Sequence, residues 1–252
     1  MTKAVLITGG AKRLGAAMAR HFGEAGWHVI VHANSSIDEA RKLADELPNA
    51  EAVQCDLSDL DAATAMVRDL AARTADWRCL VNSAAVFKPD DVTGLDPQTN
   101  ARAMTVNATA PAMLAQTYFD CARSEAGRRV IQFTDQKLAN LNPDFFSYTM
   151  SKAATDIAAR MLAMAFSDND RVYTLAPGAI LKSHDQSEEE AARAQRMNLL
   201  GRRTGADEIA DTALFMAEGP LASGQCIYVD SGQHLLNQPR DVIYLERRER
   251  GE

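Results

Sequence analysis

A single-domain α/β fold, with a doubly wound parallel sheet and helices on both faces, is predicted by three observations. Short apolar runs rich in branched residues alternate with stretches of helical apolar spacing, from residue 4 to about residue 230. The runs are near-continuously apolar, as strands buried on both faces are. No repeat, low-complexity tract or Pro/Gly-rich linker divides the 252 residues, which suffice to bury one substantial core.

The first strand is AVLIT at 4–8, and LGAAMARHFGEAG then sets Leu14, Met18 and Phe22 at helical spacing until Gly26 stops it. WHVIVHA forms the second strand, followed by SSIDEARKLADEL, with Ser36 as cap and Ile37, Leu43 and Leu47 as apolar positions. AEAVQCD, RCLVNSA, RRVIQFTD, RVYTLAPG and QCIYVD are further strands, with helical patterns near 59–74, 97–125, 147–166 and 207–217. Two segments fit the alternation poorly. Residues 182–200, KSHDQSEEEAARAQRMNLL, are charged and helix-prone, and lie where a strand's carboxyl end opens on a ligand crevice, so a substrate lid is expected there. The domain is taken as 1–238, leaving a tail at 239–252 in which VIYL is too apolar for a free end. Pro239 to Leu245 should therefore pack on the body, with a neighbouring subunit's active site as one destination, and 246–252 should be disordered.

With 34 acidic against 27 basic residues the net charge is −7, which argues against a nucleic-acid surface but permits a local basic pocket. Cys55, Cys79, Cys121 and Cys226 form no CxxC pair and read as reduced core residues, with no metal site expected. No apolar run reaches the ~20 residues of a membrane span and no charged-then-apolar leader opens the chain, so a cytoplasmic protein is expected.

Gly9 and Gly10 follow a strand directly and Gly15 lies inside the start of a helix, so backbone amides and the helix dipole converge where a phosphate fits. Arg13 opposes that dipole unless an anion is near, and a guanidinium grips phosphate through parallel hydrogen bonds. The second strand ends HANSS, residues 32–36, without the carboxylate that NAD-binding folds tend to place there; the first acid is Asp38. NADP is thereby favoured over NAD. Lys12 adds charge, although a plain surface lysine explains it equally well. Further on, YTMSK puts Tyr148 and Lys152 at i and i+4 on one helix face. A free phenol has a pKa of ~10, and a nearby ammonium stabilises its phenolate, so Tyr148 can exchange a proton with a substrate.

TGGAKRLG, CDL at 55–57, LVNSAA at 80–85, VNATAP at 106–111, YTMSK and APG at 176–178 stand in the order seen in short-chain dehydrogenases/reductases. The chain resembles that Rossmann-like family from residue 4 to about 236. The resemblance implies Tyr148 as proton donor, Lys152 as the group that lowers its pKa and holds the nicotinamide ribose, and Asn107 as support for a water-linked proton relay. It implies that Asp56 meets the adenine and that Asn82 anchors the backbone near the cofactor. Gly9, Arg13, Leu14, Asn34, Ser35, Leu57, Ser83, Ala84, Pro177 and Gly178 complete the implied cofactor site. Family members also pack the helices of 97–125 and 147–166 against a neighbour, implying a homotetramer, and Ala153, Ala154, Ala158 and Ala159 permit close approach.

Two departures narrow the resemblance. Arg13 replaces the middle glycine of the turn, and Asp135 stands where most members carry the catalytic serine. With FTD and YTMSK, these look like the pteridine reductases and bacterial dihydromonapterin reductases. In that subgroup Arg13 is similar to the arginine that contacts the NADP phosphates, and Phe87 falls where the pterin ring stacks, with ordinary core as its competing reading. Other departures are NSAA, in place of the usual NNAG or NNAS, and the lack in HANSS of an arginine found in some pteridine reductases. Serine suits a carbonyl substrate, whereas a carboxyl at 135 can accept from amino-pyrimidine N–H groups and orient Tyr148 as it protonates a ring nitrogen. An ionised Asp135 raises the phenol's pKa and Lys152 lowers it; Lys152 is expected to prevail. The implied activity is NADPH-dependent reduction of a dihydropterin. The alternatives are a carbonyl reductase acting on a small ketone or acyl substrate, and a non-catalytic NADP-binding regulatory protein.

Overall fold

Successive side chains of each central strand must find apolar cover on opposite sides, and helices supply it on both. The computed structural model describes residues 2–166, 168–182 and 186–249. Its parallel sheet comprises β1 (Ala4–Thr8), β2 (His28–Ala33), β3 (Ala50–Gln54), β4 (Trp77–Asn82), β5 (Arg129–Phe133), β6 (Arg171–Pro177) and β7 (Cys226–Val229), in the order β3-β2-β1-β4-β5-β6-β7. Val5, Ile7, Val29 and Val81 pack with Met18 and Phe22 of α1 (Arg13–Glu24) and Leu43 of α2 (Ile37–Glu46). Leu6, Ile30, Leu80 and Val130 pack on the other face with Val67 and Leu70 of α3 (Leu60–Arg73). Burial on both faces explains the near-continuous apolar runs. The strand order reverses between β1 and β4, which opens a crevice at the carboxyl ends of these strands.

The helical pattern at 97–125 divides into three pieces. Asp96 caps α4 (Pro97–Ala103) by accepting from the Thr99 amide at 2.9 Å; a π-helical turn (Met104–Thr109) follows, then α5 (Ala110–Cys121). The remaining helices are α6 (Phe146–Ala163), α7 (Glu188–Ala194), α8 (Ala206–Glu218) and α9 (Val242–Glu249). Ser36 occupies the expected cap position, but its side chain makes no capping bond, and Asp38 and Glu39 in the first turn complement the dipole instead. Cys55 and Cys79 are buried as expected, while Cys226 is exposed on the last strand of the sheet; all four thiols are free. No helix among the described residues is long and apolar enough to cross a membrane.

In the expected lid, α7 is closed by a capping box between Ser187 and Glu190, and residues 183–185 lie outside the described residues. Val242 and Ile243 are buried, so the segment from Pro239 packs on the body as expected. The expectation of disorder from 246 is overturned as far as 249. Glu246 is buried and accepts from Arg193 Nε at 2.5 Å, which ties α9 to α7; residues 250–252 lie outside the described residues.

Candidate active site

The turn after β1 is shaped by close backbone approach. Gly9 has φ +66°, and a Cβ on Gly15 would stand 2.1 Å from the Gly9 carbonyl oxygen, so only glycine fits there. His32 at the end of β2 holds the turn: its Nδ1 accepts from the Gly9 amide at 3.2 Å, and its carbonyl accepts from the Gly10 amide at 2.9 Å. Nε2 then donates to the Cys55 carbonyl at 3.0 Å, and burial pulls this imidazole down to about 4, so it is neutral near pH 7. Arg13 has φ +55°, a left-handed backbone that favours glycine and costs an arginine about 1–3 kcal/mol. Its guanidinium reaches across the crevice mouth and donates to the Lys182 carbonyl at 3.0 Å. Lys12 instead pairs with Glu39 at 2.7 Å on the surface.

A cavity of about 640 Å³ runs from this turn to Tyr148. Gly9, Arg13, Leu14, Asn34, Asp56, Leu57, Ser83, Ala84, Pro177 and Gly178 line it, as do Phe87, Asp135, Tyr148 and Lys152. Ser35, Asn82 and Asn107 are not on its wall. Asn82 works from behind, donating to the Pro111 carbonyl at 3.2 Å. Asn107, in the π-helical turn, accepts from the Val86 amide at 2.7 Å and donates to the Val86 carbonyl and the Ser151 hydroxyl at 2.9 and 3.0 Å. Its amide thus pins the segment that carries Phe87.

Tyr148 donates to Asp135 Oδ2 at 2.8 Å, and Asp135 Oδ1 accepts from the Lys137 amide at 2.9 Å. Burial raises the Asp135 carboxyl above its ordinary range. Burial, then the neighbouring carboxylate, pushes the Tyr148 phenol well above its own. Lys152 Nζ donates to the Phe133 carbonyl at 2.6 Å and lies 5.7 Å from the Tyr148 ring centroid; burial pulls it down to about 8. The expectation that Lys152 prevails over Asp135 is therefore overturned: the acid accepts the phenol's hydrogen bond and favours its protonated form, while the ammonium bonds to a backbone carbonyl.

Phe87 stacks on Phe145 at 4.2 Å between centroids and meets the edge of Tyr148 at 4.7 Å. It is 38 % exposed, which excludes the ordinary-core reading. Tyr244 of α9 stacks on the Phe145 ring at 5.9 Å. Arg240 forks onto the buried Asp144 carboxylate at 2.6–2.9 Å, and Asp241, Val242 and Ile243 line the cavity of this same chain. His32, Lys137, Gln195 and Asp241 also line it and went unassigned from sequence; an acid directly before VIYL is the one local signal for Asp241.

A family profile described as enoyl-(acyl carrier protein) reductase matches residues 9–234. The chain belongs to the short-chain dehydrogenase/reductase family. This family member is similar to FolM alternative dihydrofolate reductase 1 from Brucella suis, solved in complex with NADP. The identity is 34 %, the TM-score 0.87, and the match covers 92 % of this chain and 95 % of the other. Dihydromonapterin reductase of Shigella boydii serotype 4 (strain Sb227) is 25 % identical over 236 residues, covering 92 % of this chain and 96 % of that protein. Angucycline C-6 ketoreductase LanV, solved with bound NADP, is 27 % identical with a TM-score of 0.83, covering 93 % and 96 %. The expected grouping with the pteridine reductases stands, and so does the doubly wound Rossmann-like fold.

Proposed function

We propose that this short-chain reductase uses NADPH to reduce a dihydropterin-type substrate, with Tyr148 as proton donor. The observation that carries the reading is a half-buried carboxyl, Asp135, bonded to the phenol. Likeness to the dihydromonapterin reductase and to the Brucella FolM protein supports it.

The cavity fits a dinucleotide, since a Cβ on Gly15 would fill the phosphate cradle and a volume of about 640 Å³ lies within the range of cofactor sites. The Gly9 turn and Arg13 would hold phosphate, with Asn34 and Ser35 at the end of β2 beside them, Asp56 the adenine, and Lys152 the nicotinamide ribose. Ser83, Ala84, Pro177 and Gly178 would close the sides. NADPH, when bound, supplies a hydride equivalent. Asp135 accepts from the N–H groups of an amino-pyrimidine edge and orients the Tyr148 hydroxyl. With its pKa held high, the phenol keeps its proton at neutral pH until a basic ring nitrogen takes it. The Lys152 ammonium, largely charged at pH 7, then faces the phenolate. Phe87 offers its exposed ring as a stacking surface.

Likeness to the ketoreductase LanV supports a second reading, reduction of a carbonyl, against which Asp135 speaks. Loss of NADPH absorbance across dihydrobiopterin, dihydromonapterin, dihydrofolate and simple ketones tests the two. Faster turnover of the dihydropterins is expected, and faster turnover of ketones overturns the assignment. We also propose a cytoplasmic homotetramer: Met150, Ile157 and Met161 form an exposed apolar stripe at helical spacing on α6, continued by Met164 just past its end. Light scattering that returns a monomer contradicts the assembly.

A further inference from the structure

We infer that Asp241, brought in by the segment after β7, is a second substrate-recognising carboxylate, and that with the Gln195 carbonyl oxygen it selects heterocycles rich in N–H donors. Asp241 and Gln195 line the cavity that holds Asp135 and Tyr148. Gln195 Oε1 is buried and has no hydrogen-bond partner among the described residues, a state that costs stability until a donor meets it. Asp241 is fixed in place from several sides. Its amide donates to Asp144 Oδ2 at 2.7 Å, and its Oδ1 accepts from the Ile243 amide at 3.1 Å. Its Oδ2 has one long contact, 3.4 Å to Lys137 Nζ, whose short bond of 2.6 Å goes to the Asp144 carbonyl instead. A carboxylate oxygen engaged at that length keeps lone pairs for a ligand.

Asp241 also acts on the reacting end, since its charge contributes to the upward shifts of both Asp135 and Tyr148. Three residues that carry acceptor oxygens, Asp135, Asp241 and Gln195, thus line one cavity. A simple ketone has no donor for any of them, while an amino-pyrimidine edge presents several. The purely structural alternative is that Asp241 serves only to cap α9 through Oδ1. Asp241→Asn separates the two, because an amide oxygen still caps the helix while the charge is gone.

The substrate class rests on the pterin-type reading, so the test uses binding of a non-reducible probe. Protein saturated with NADP is titrated with 2,4-diaminopteridine by calorimetry. Asp241→Asn is expected to weaken binding about 10- to 100-fold, the loss of one charge-assisted hydrogen bond, with NADP affinity and melting temperature unchanged. If Asp241→Asn does not fold, Asp241→Ser, which keeps a capping oxygen, replaces it. Gln195→Leu is expected to weaken the same probe. Equal affinity of the wild type and the Asp241 variant overturns the inference, as does absence of binding to the wild type. Turnover assays separate the two readings: if dihydropterins are not reduced but probe binding still depends on Asp241, the recognition stands and the pterin assignment falls.

Discussion

Tyr148 donates a hydrogen bond to Asp135 across 2.8 Å, while Lys152, one helical turn further on, donates to the backbone of Phe133. The acid is therefore the phenol's partner in the resting site. Tyr148→Phe is expected to lower dihydropterin turnover 10²–10⁴-fold, the range of general acid–base assistance. Asp135→Ser should reduce both turnover and substrate affinity, because one hydroxyl cannot pair with two ring N–H groups. Steady-state kinetics on both variants checks this, and dihydropterin turnover unchanged by Asp135→Ser contradicts it.

The pH profile should track Lys152. Its ammonium, pulled down to about 8, loses charge as pH rises through that value, and turnover should fall there. Stability moves the other way. Between about 8 and the ordinary lysine value of 10.5, the unfolded chain holds the proton that the native site has released, so stability should rise with pH across that window. Rate and unfolding measurements from pH 7 to 10 check both signs.

His32 produces a second window at low pH. Its imidazole titrates at about 4 in the fold against 6.5 unfolded, so as pH falls between those values the unfolded chain takes up a proton that the native state refuses. The native state should lose about 3 kcal/mol of stability over that interval. Urea unfolding of His32→Gln at pH 7 and pH 4.5 should lack this part of the fall; an equal fall in both proteins contradicts it.

Arg13→Ala should narrow the preference for NADPH over NADH by about 10- to 100-fold, the worth of a charge-assisted bond to phosphate. The variant also loses the left-handed arginine and the bond to Lys182. Cofactor KM values measured in parallel check it, and an unchanged preference removes Arg13 from the phosphate site.

Arg240→Ala strips the fork from the buried Asp144 carboxylate. Fully buried pairs lose about 3–5 kcal/mol on such truncation, but Arg240 is nearly half exposed, so about 2 kcal/mol is expected. A double-mutant cycle with Asp144→Asn, read by urea unfolding, isolates the pairwise part, and additive losses contradict the coupling.

Much of this molecule can be read from local pattern. Every strand lies within one or two residues of its expected run, and in the five inner strands, β1, β2, β4, β5 and β6, burial on both faces leaves little choice of residue. Tyr148, Lys152 and Asp135 could be found because their spacing and strand-end position carry the chemistry. Asp241 could not, since its meeting with Lys137 spans 104 residues and depends on a turn of the chain after β7. His32 hid inside a strand, where its burial shows only once β2 lies beside the glycine turn. The split of the long helix at 97–125 was equally hidden, because a π-turn leaves the apolar spacing nearly intact.

That π-turn, Met104–Thr109, amounts to one residue more than a regular helix between the same end points would hold. Removing a single residue there would restore the ordinary winding between the same end points, shifting the residues of the turn itself and not α4 against α5. Asn107 would swing off Val86, and the peptide bearing Phe87 would lose both of its tethers. The site thus depends on the number of residues in this stretch as well as on the Asn107 amide. A single-codon deletion at an inconspicuous alanine, Ala108, would disturb the aromatic wall of the cavity from a position that is not itself on that wall.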